Sequence, residues 1–360
     1  MLHPVGVLER MDKCPVMVNA RILGSHTTGV QRYLQELLAR WQTSVCVVSP
    51  AQPLGGMRGH AWEQLVLPVR LGGRVLFSPS NTGPLAVKRQ VVTLHDVVPL
   101  DHPEWLNPRF AAWYAFLTPR LARRVSHVIA ISEFTKQRII ERMGITEDRI
   151  TVIRNGVDER FRPHAPEEVD RTIASLGLPG RKYVLCVGSL EPRKNLARLL
   201  EAWRRVEREL PEDVWLVLTG ARGKRLVFAT NHAEVELPPR VHLTGHVPDA
   251  LLPPLYAGAM AFAYPSVYEG FGLPPLEAMA SGVPVLTGNR TALPEVVGDA
   301  ALMVDPHDTD AIAQGLLRIS TDSLLRAQLG AAGLERARLF SWDDAAAQTL
   351  EVLKHAASSP

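Results

Sequence analysis

Cysteine is scarce in this chain: three in 360 residues, at positions 14, 46 and 186. The number is odd, the positions are far apart, and most lie inside apolar runs. That excludes a disulfide framework and reads as reduced core thiols, the usage of a cytosolic protein. Long apolar runs are missing too; none approaches the ~20 residues needed to cross a bilayer. The opening MLHPVGVLERMDKC contains acidic residues and no apolar core segment, so no secretory leader is expected there. The first strand is expected at Pro15, so Met1 and Met11 would serve equally well as starts. Several motifs are absent as well. No His/Cys spacing suggests zinc, there is no Gly-x-Ser-x-Gly elbow, and no Gly-x-Gly-x-x-Gly dinucleotide fingerprint. Gly220–Arg225 lacks the spacing and the Ser/Thr of a phosphate loop.

What remains is a globular composition, 46% hydrophobic and 21% charged. At 360 residues two domains are expected, residues 1–160 and 161–341. The net charge of +3 conceals an asymmetry: residues 1–160 hold 20 basic and 13 acidic side chains (+7), the rest 20 and 24 (−4). A basic first half suits an anionic partner, a membrane surface or a pyrophosphate-linked substrate, although ordinary solvated helix faces explain any single cluster, such as Arg120-Arg123-Arg124, better. Strands are expected at 15–20, 45–48, 75–77, 91–94, 128–131 and 150–153, with helices at 30–41, 108–124 and 133–143. A join of prolines and charges over 158–180 contains a short helical stretch. A second series follows, with strands at 183–187, 214–219, 241–244, 259–264, 283–287 and 300–304. Its helices are at 194–208, 248–256, 275–281, 309–318, 321–338 and 342–356. Continuous apolar strands alternating with helices imply two doubly wound parallel sheets, an α/β protein with a cleft between two rows of strand ends.

The segment from Tyr264 to Pro284, YPSVYEGFGLPPLEAMASGVP, concentrates the chemistry. A strand runs into the turn Glu269-Gly270-Phe271-Gly272, and the turn into a helix expected to carry Glu277 in its first turn. Two carboxylates thus flank a strand-to-helix turn, where α/β sheets bind ligands. Gly270 and Gly272 permit close backbone approach, and the prolines 274 and 275 leave Leu276 and residues 270–273 as the donors. A carboxylate accepts two hydrogen bonds from neighbouring sugar or ribose hydroxyls. The plainer alternative is a tight turn with a dipole-matching glutamate, although Pro274 replaces the Ser/Thr of a capping box.

Gly188-Ser189-Leu190-Glu191-Pro192-Arg193-Lys194-Asn195 links the first strand of the second half to its helix. Arg193 and Lys194 stand at the helix end where the macrodipole disfavours cations, so an anion is expected between them. That anion is a phosphate, or else a carboxylate at Glu191 or Glu201. In the first half, Thr27-Thr28-Gly29 precedes a helix, and His95-Asp96 closes the strand Val91–Leu94. His95 alone reads as structural. Asp308-Thr309-Asp310 looks like a metal–nucleotide motif but is better explained as a helix N-cap.

Together these motifs resemble glycosyltransferase family 4, retaining enzymes of the two-Rossmann GT-B architecture. The segments are EPRKN at 191–195, the Glu269–Glu277 pair, ALPEV at 292–296, TGVQRY at 28–33, HDVVPL at 95–100, ISEFTK at 131–136 and NGVD at 155–158. The first-half segments resemble the branch using mannose, rhamnose or fucose donors for bacterial surface polysaccharide. The resemblance implies that Glu277 binds the ribose, while Glu269 with Gly270, Phe271, Gly272 and Leu273 holds the donor sugar. Arg193 and Lys194 would neutralise the diphosphate, and Ser189, Gly29 and Val247 would line the donor site. His95 would sit beside the anomeric carbon, and the helix 342–358 would pack back on the first domain. It further implies no metal and no cofactor besides the nucleotide diphospho-sugar, GDP-linked by preference. The acceptor would be a saccharide, lipid-linked at the inner membrane face, with peripheral membrane contact through the basic first half and no nucleic acid. Two other readings stay open. A nucleotide-sugar epimerase on the same scaffold would consume donor without acceptor, and an inactive nucleotide-binding paralogue would have lost one of the charged motif residues.

Overall fold

Alternation of apolar strands with amphipathic helices produces two six-stranded, wholly parallel sheets. The computed structural model describes residues 14–24, 29–42, 44–189, 191–220 and 237–358. The leader region with Met1 and Met11, Thr27-Thr28, Leu190 and Ala221–Arg225 lie outside the described residues. The first sheet contains β1 (Val16–Asn19), β2 (Cys46–Val48), β3 (Val75–Ser78), β4 (Gln90–Leu94), β5 (His127–Ala130) and β6 (Ile150–Val152), in the order β2-β1-β3-β4-β5-β6. The second contains β7 (Lys182–Val187), β8 (Val214–Thr219), β9 (Val241–Gly245), β10 (Ala261–Tyr264), β11 (Val285–Gly288) and β12 (Leu302–Val304), in the order β12-β11-β10-β7-β8-β9. The chain divides into two compact units, Met1–Gly156 with Ser341–Pro360, and Val157–Phe340.

All twelve expected strands are present, with ends shifted by a residue or two. The helix expected at 275–281 begins earlier, at Leu273, and that expected at 248–256 is shorter, Leu252–Ala257. Pro274, Pro275, Pro253 and Pro254 fall in first turns, where a missing N–H costs nothing. Within 158–180 the helical stretch is Pro166–Ser175. Among the helical segments without an expectation are the run from Gly56 to Arg70 and the short helices Val98–Asp101 and Leu293–Val297.

In the second unit the helix Leu196–Val206 turns Leu196, Leu199, Leu200, Trp203 and Val206 inward at spacings of three and four. They pack with Ile312, Leu316 and Ile319 of the helix Thr309–Thr321 over β7 and β8. Trp203 is fully buried and its indole N–H donates to the Pro239 carbonyl at 3.0 Å. Asp308 caps the helix Thr309–Thr321, accepting from the N–H groups of Asp310 and Ala311 at 2.9 and 3.1 Å, as expected. In the first unit the helix Trp342–Ser358 lies against the helix Gly29–Trp41. The Trp41 indole donates to the Ala346 carbonyl at 2.9 Å, and the Tyr33 and Trp342 rings meet edge-on at 6.0 Å. The three cysteines are free thiols, with Cys46 and Cys186 buried. Burial, reinforced by the Cys14 thiol, pushes Cys46 up to about 11, and burial pushes Cys186 up to about 12. Both are therefore unreactive at neutral pH.

Candidate active site

In the second sheet the strand order reverses between β7 and β10. From β7 the chain proceeds to β8 and β9 on one side; β11 and β12 lie on the other side, beyond β10. The two connections leaving neighbouring carboxyl ends there go to opposite sides of the sheet, which opens a crevice between them, the ligand position of doubly wound folds. The segments leaving β7 and β10 are those that carry the charged motifs. In the first sheet the corresponding reversal lies between β1 and β3.

Tyr264 ends β10 and Glu269 follows five residues later. The turn closes at Gly272, whose φ of 121° is open to glycine and strained for side chains, and where a Cβ would come within 2.9 Å of Leu293. Leu273 then begins the helix Leu273–Ala280. Glu277 is its fifth residue, so it lies in the second turn rather than the first. Leu276 is not a donor to a ligand, because its N–H makes the first helical bond to the Gly272 carbonyl at 3.3 Å. After β7, Pro192–Lys194 form a tight 3-10 turn, and Asn195 at φ 60° reverses the chain into the helix Leu196–Val206. The Asn195 amide ties the two segments together, donating to the carbonyls of Pro265 and Pro306 at 2.9 and 2.6 Å.

The anion expected beside Arg193 and Lys194 is supplied by the chain itself. Arg193 Nη1 donates to Glu269 Oε2 at 2.7 Å and Lys194 Nζ to Oε1 at 2.8 Å. The Tyr264 hydroxyl and Ser266 Oγ also donate to Oε1, each at 2.8 Å. Lys194 Nζ further donates to the Tyr264 hydroxyl. Arg193 is shared with Glu191, 2.5 Å from Nε, so that part of the ion-pair alternative is met. Glu201 instead pairs with Arg204 and Arg205. Ser266 Oγ is also 2.8 Å from the Arg193 carbonyl, so its one proton is shared between that oxygen and Glu269, and Thr291 Oγ1 accepts from the Glu269 N–H at 3.1 Å.

Glu269 is 6% exposed and Lys194 8%. Burial by itself would raise the Glu269 carboxyl, but the charges of Arg193 and Lys194, with hydrogen bonds from Lys194 and Ser266, bring it down to about 2. Burial lowers Lys194 below an ordinary lysine, with Glu269 the main opposing charge. Burial and the Glu269 charge hold the Tyr264 hydroxyl protonated. The cluster is a preformed, charge-compensated network carrying one more cation than Glu269 alone neutralises.

The remaining expected residues lie as follows. Glu277 accepts from the Tyr256 hydroxyl at 3.0 Å, one turn along the helix from Gly272. Ser189 Oγ donates to Glu191, and Val247 is buried just after β9. Gly29 and His95 belong to the first unit. Gly29 begins the helix Gly29–Trp41. His95 follows β4 as a buried ring, its Nε2 2.7 Å from the Pro79 carbonyl and its face 4.9 Å from the Tyr33 ring. Burial takes it down to about 4, with the Pro79 carbonyl opposing, so its imidazole is neutral near pH 7. That bond assigns the proton to Nε2 and leaves Nδ1 an acceptor. Sequence reasoning missed Tyr264, Ser266, Asn195 and Tyr256. For Tyr264 and Ser266 the signal is the rule that buried charges need several partners, since both lie within five positions of Glu269; Asn195 and Tyr256 carry no such signal.

Comparison with known proteins gives the following. The model for glycosyl transferases group 1 matches residues 169–336, and that for glycosyltransferase family 4 matches residues 76–161. O-antigen chain mannosyltransferase B of Escherichia coli is 36% identical over 284 residues, covering 78% of this chain and 74% of that protein. The serotype-specific mannosyltransferase WbdA of Escherichia coli is 33% identical over 272 residues, 73% of this chain; the chain spans only 33% of its length. The crystal structure of Anabaena HepE in complex with UDP and glucose superposes with a TM-score of 0.71 at 20% identity, covering 95% of this chain and 99% of that one.

Proposed function

Because the chain belongs to glycosyltransferase family 4, we propose that it transfers mannose from GDP-mannose to a lipid-linked saccharide in the assembly of surface polysaccharide. The observation that carries the reading is the Arg193–Lys194–Glu269 network at the β7/β10 reversal. Two cations and several hydroxyls already converge there on an anionic group. In the proposed reaction the bond between the sugar C1 and the phosphate oxygen breaks, and negative charge grows on the departing diphosphate. Arg193 and Lys194 stabilise that charge in place of a metal. The acceptor oxygen bonds to C1 on the face the nucleotide leaves, and its proton passes to the departing phosphate oxygen. Configuration is thereby retained. Glu269, anchored by Lys194 and Ser266, and the backbone of residues 270–273 hold sugar hydroxyls; Glu277 holds the ribose. Ser189 and Val247 line the donor. His95 is neutral at working pH, with Nε2–H given to the Pro79 carbonyl, so its Nδ1 can only accept a hydrogen bond and adds no charge. The protein works at the cytoplasmic face of the membrane, and no described helix is long and apolar enough to cross it.

The test is transfer from GDP-mannose to a synthetic lipid-linked acceptor. The product should keep the donor's anomeric configuration by NMR, and Glu269→Ala should lose turnover. Donor consumption without an acceptor would favour the epimerase. No GDP binding and no turnover would favour an inactive paralogue.

A further inference from the structure

The helical run from Gly56 to Arg70 carries apolar side chains on its solvent side as well as its buried side. It begins as an α-helix, widens by a π turn closed by the bond from Leu67 N–H to the Trp62 carbonyl, and tightens to a 3-10 turn at Pro68–Arg70. Its buried side holds His60 and Glu63 beside Trp62, Leu67 and Leu71. Its solvent side holds Met57, Ala61, Leu65 and Val69, four residues apart, and the wider turn keeps that spacing in line. Met57 is 70% exposed, Leu65 72% and Val69 84%. Beside this run lies the helix Pro108–Arg124, joined to it by His60, whose ring meets Trp113 at 5.6 Å and Tyr114 at 5.9 Å. That helix exposes Phe110 and Phe116. Six of the nine large apolar side chains left exposed among the described residues are on these two segments.

The charges are of one sign. Residues 51–74 and 108–124 contain seven arginines and one acidic residue, Glu63. Glu63 points inward, fully buried, accepting from the Asn19 amide at 2.7 Å and pairing with Arg21. Arg58, Arg70, Arg109 and Arg120 are exposed, Arg120 lying over the Phe116 ring at 4.0 Å. Apolar side chains interspersed with arginines, with no exposed acid within these segments, match an interface between acyl chains and anionic headgroups. A protein partner would have to present a large acidic rim around an apolar centre.

We propose that the run Gly56–Arg70 and the helix Pro108–Arg124 dock the chain on an anionic lipid bilayer, Met57, Leu65 and Val69 entering the headgroup region while the arginines hold phosphates. This rests on the lipid-linked acceptor proposed above and names the surface that brings the protein to it. The test is sedimentation of the full chain with vesicles of phosphatidylcholine alone, or with about one third phosphatidylglycerol. Wild type should bind the anionic vesicles, less so at high salt. Leu65→Asp with Val69→Asp should reduce partition at least about tenfold. Arg109→Glu with Arg120→Glu should reduce it about fivefold per arginine, the equivalent of ~1 kcal/mol each. All four residues are exposed, so unfolding midpoints should not move. Vesicle binding is read without turnover, and transfer to a soluble acceptor should stay at wild-type level, so failure of the transferase reading would show in that assay alone. Equal vesicle binding by wild type and variants, or none at all, overturns the proposal. So does a wild-type dimer in light scattering that the aspartates dissolve, which would assign the surface to a second copy.

Discussion

Glu269 carries the largest single electrostatic commitment of the proposed donor site. Its carboxyl lies near 2 in the folded chain, against an ordinary value of 4.5. Its contribution to stability is fully present above pH ~4.5 and is lost as pH falls through about 2. The shift corresponds to a contribution on the order of 3 kcal/mol. Urea unfolding between pH 7 and pH 3 should therefore show a falling midpoint in wild type and a shallower fall in Glu269→Gln. At neutral pH the same substitution leaves Lys194 buried against a neutral amide, and a loss of about 3–5 kcal/mol is expected from the same titration. The motif spacing that singled out Glu269, Arg193 and Lys194 is visible in the chain. Their mutual bonding is not, because Lys194 and Glu269 are 75 positions apart and meet only once β7 and β10 pair. Sequence reasoning looked for a foreign anion, and the fold places a carboxylate there.

Helix and strand positions follow from apolar periodicity, and they were legible wherever one face is buried. The run from Gly56 to Arg70 escaped for the opposite reason: apolar side chains lie on both its faces, Met57, Leu65 and Val69 toward water and Trp62 and Leu67 in the core beside His60 and Glu63, so no one-sided period announces it. Helix starts at paired prolines were misplaced because proline's missing N–H is harmless in the first turn: the start at Pro274-Pro275 moves back to Leu273, and that expected at 248 moves forward to Leu252, just before Pro253-Pro254. One prediction belongs to this scale. Gly156 passes beneath the start of the helix Trp342–Ser358, where a Cβ would lie 2.1 Å from the Trp342 nitrogen, a backbone atom that has no rotamer to change. Gly156→Ala should destabilise by about 3 kcal/mol through overpacking, read from thermal unfolding.

At the scale of the whole chain, two parallel sheets with different strand orders each possess one reversal point, and the charged motif lies at the second. Sequence alternation revealed both sheets but not the strand orders, which depend on which side each crossover takes. The first unit is discontinuous in sequence, since Ser341–Pro360 belong to it. Trp342 and Leu353 are fully or almost fully buried there, and Trp41 depends on the Ala346 carbonyl for its partner. Ending the chain at Phe340 should thus uncover Tyr33 and Trp41, and is expected to give a first unit that digests at protease levels the full chain resists.

The central claim is that Arg193 and Lys194 await the diphosphate of the donor, and calorimetric titration with GDP tests it most directly. Wild type should bind, and Arg193→Ala should weaken the affinity by about tenfold or more, the loss of a charge-assisted phosphate contact of ~1.5–3 kcal/mol. A GDP affinity unchanged by Arg193→Ala, in a protein that unfolds at the wild-type temperature, would contradict it.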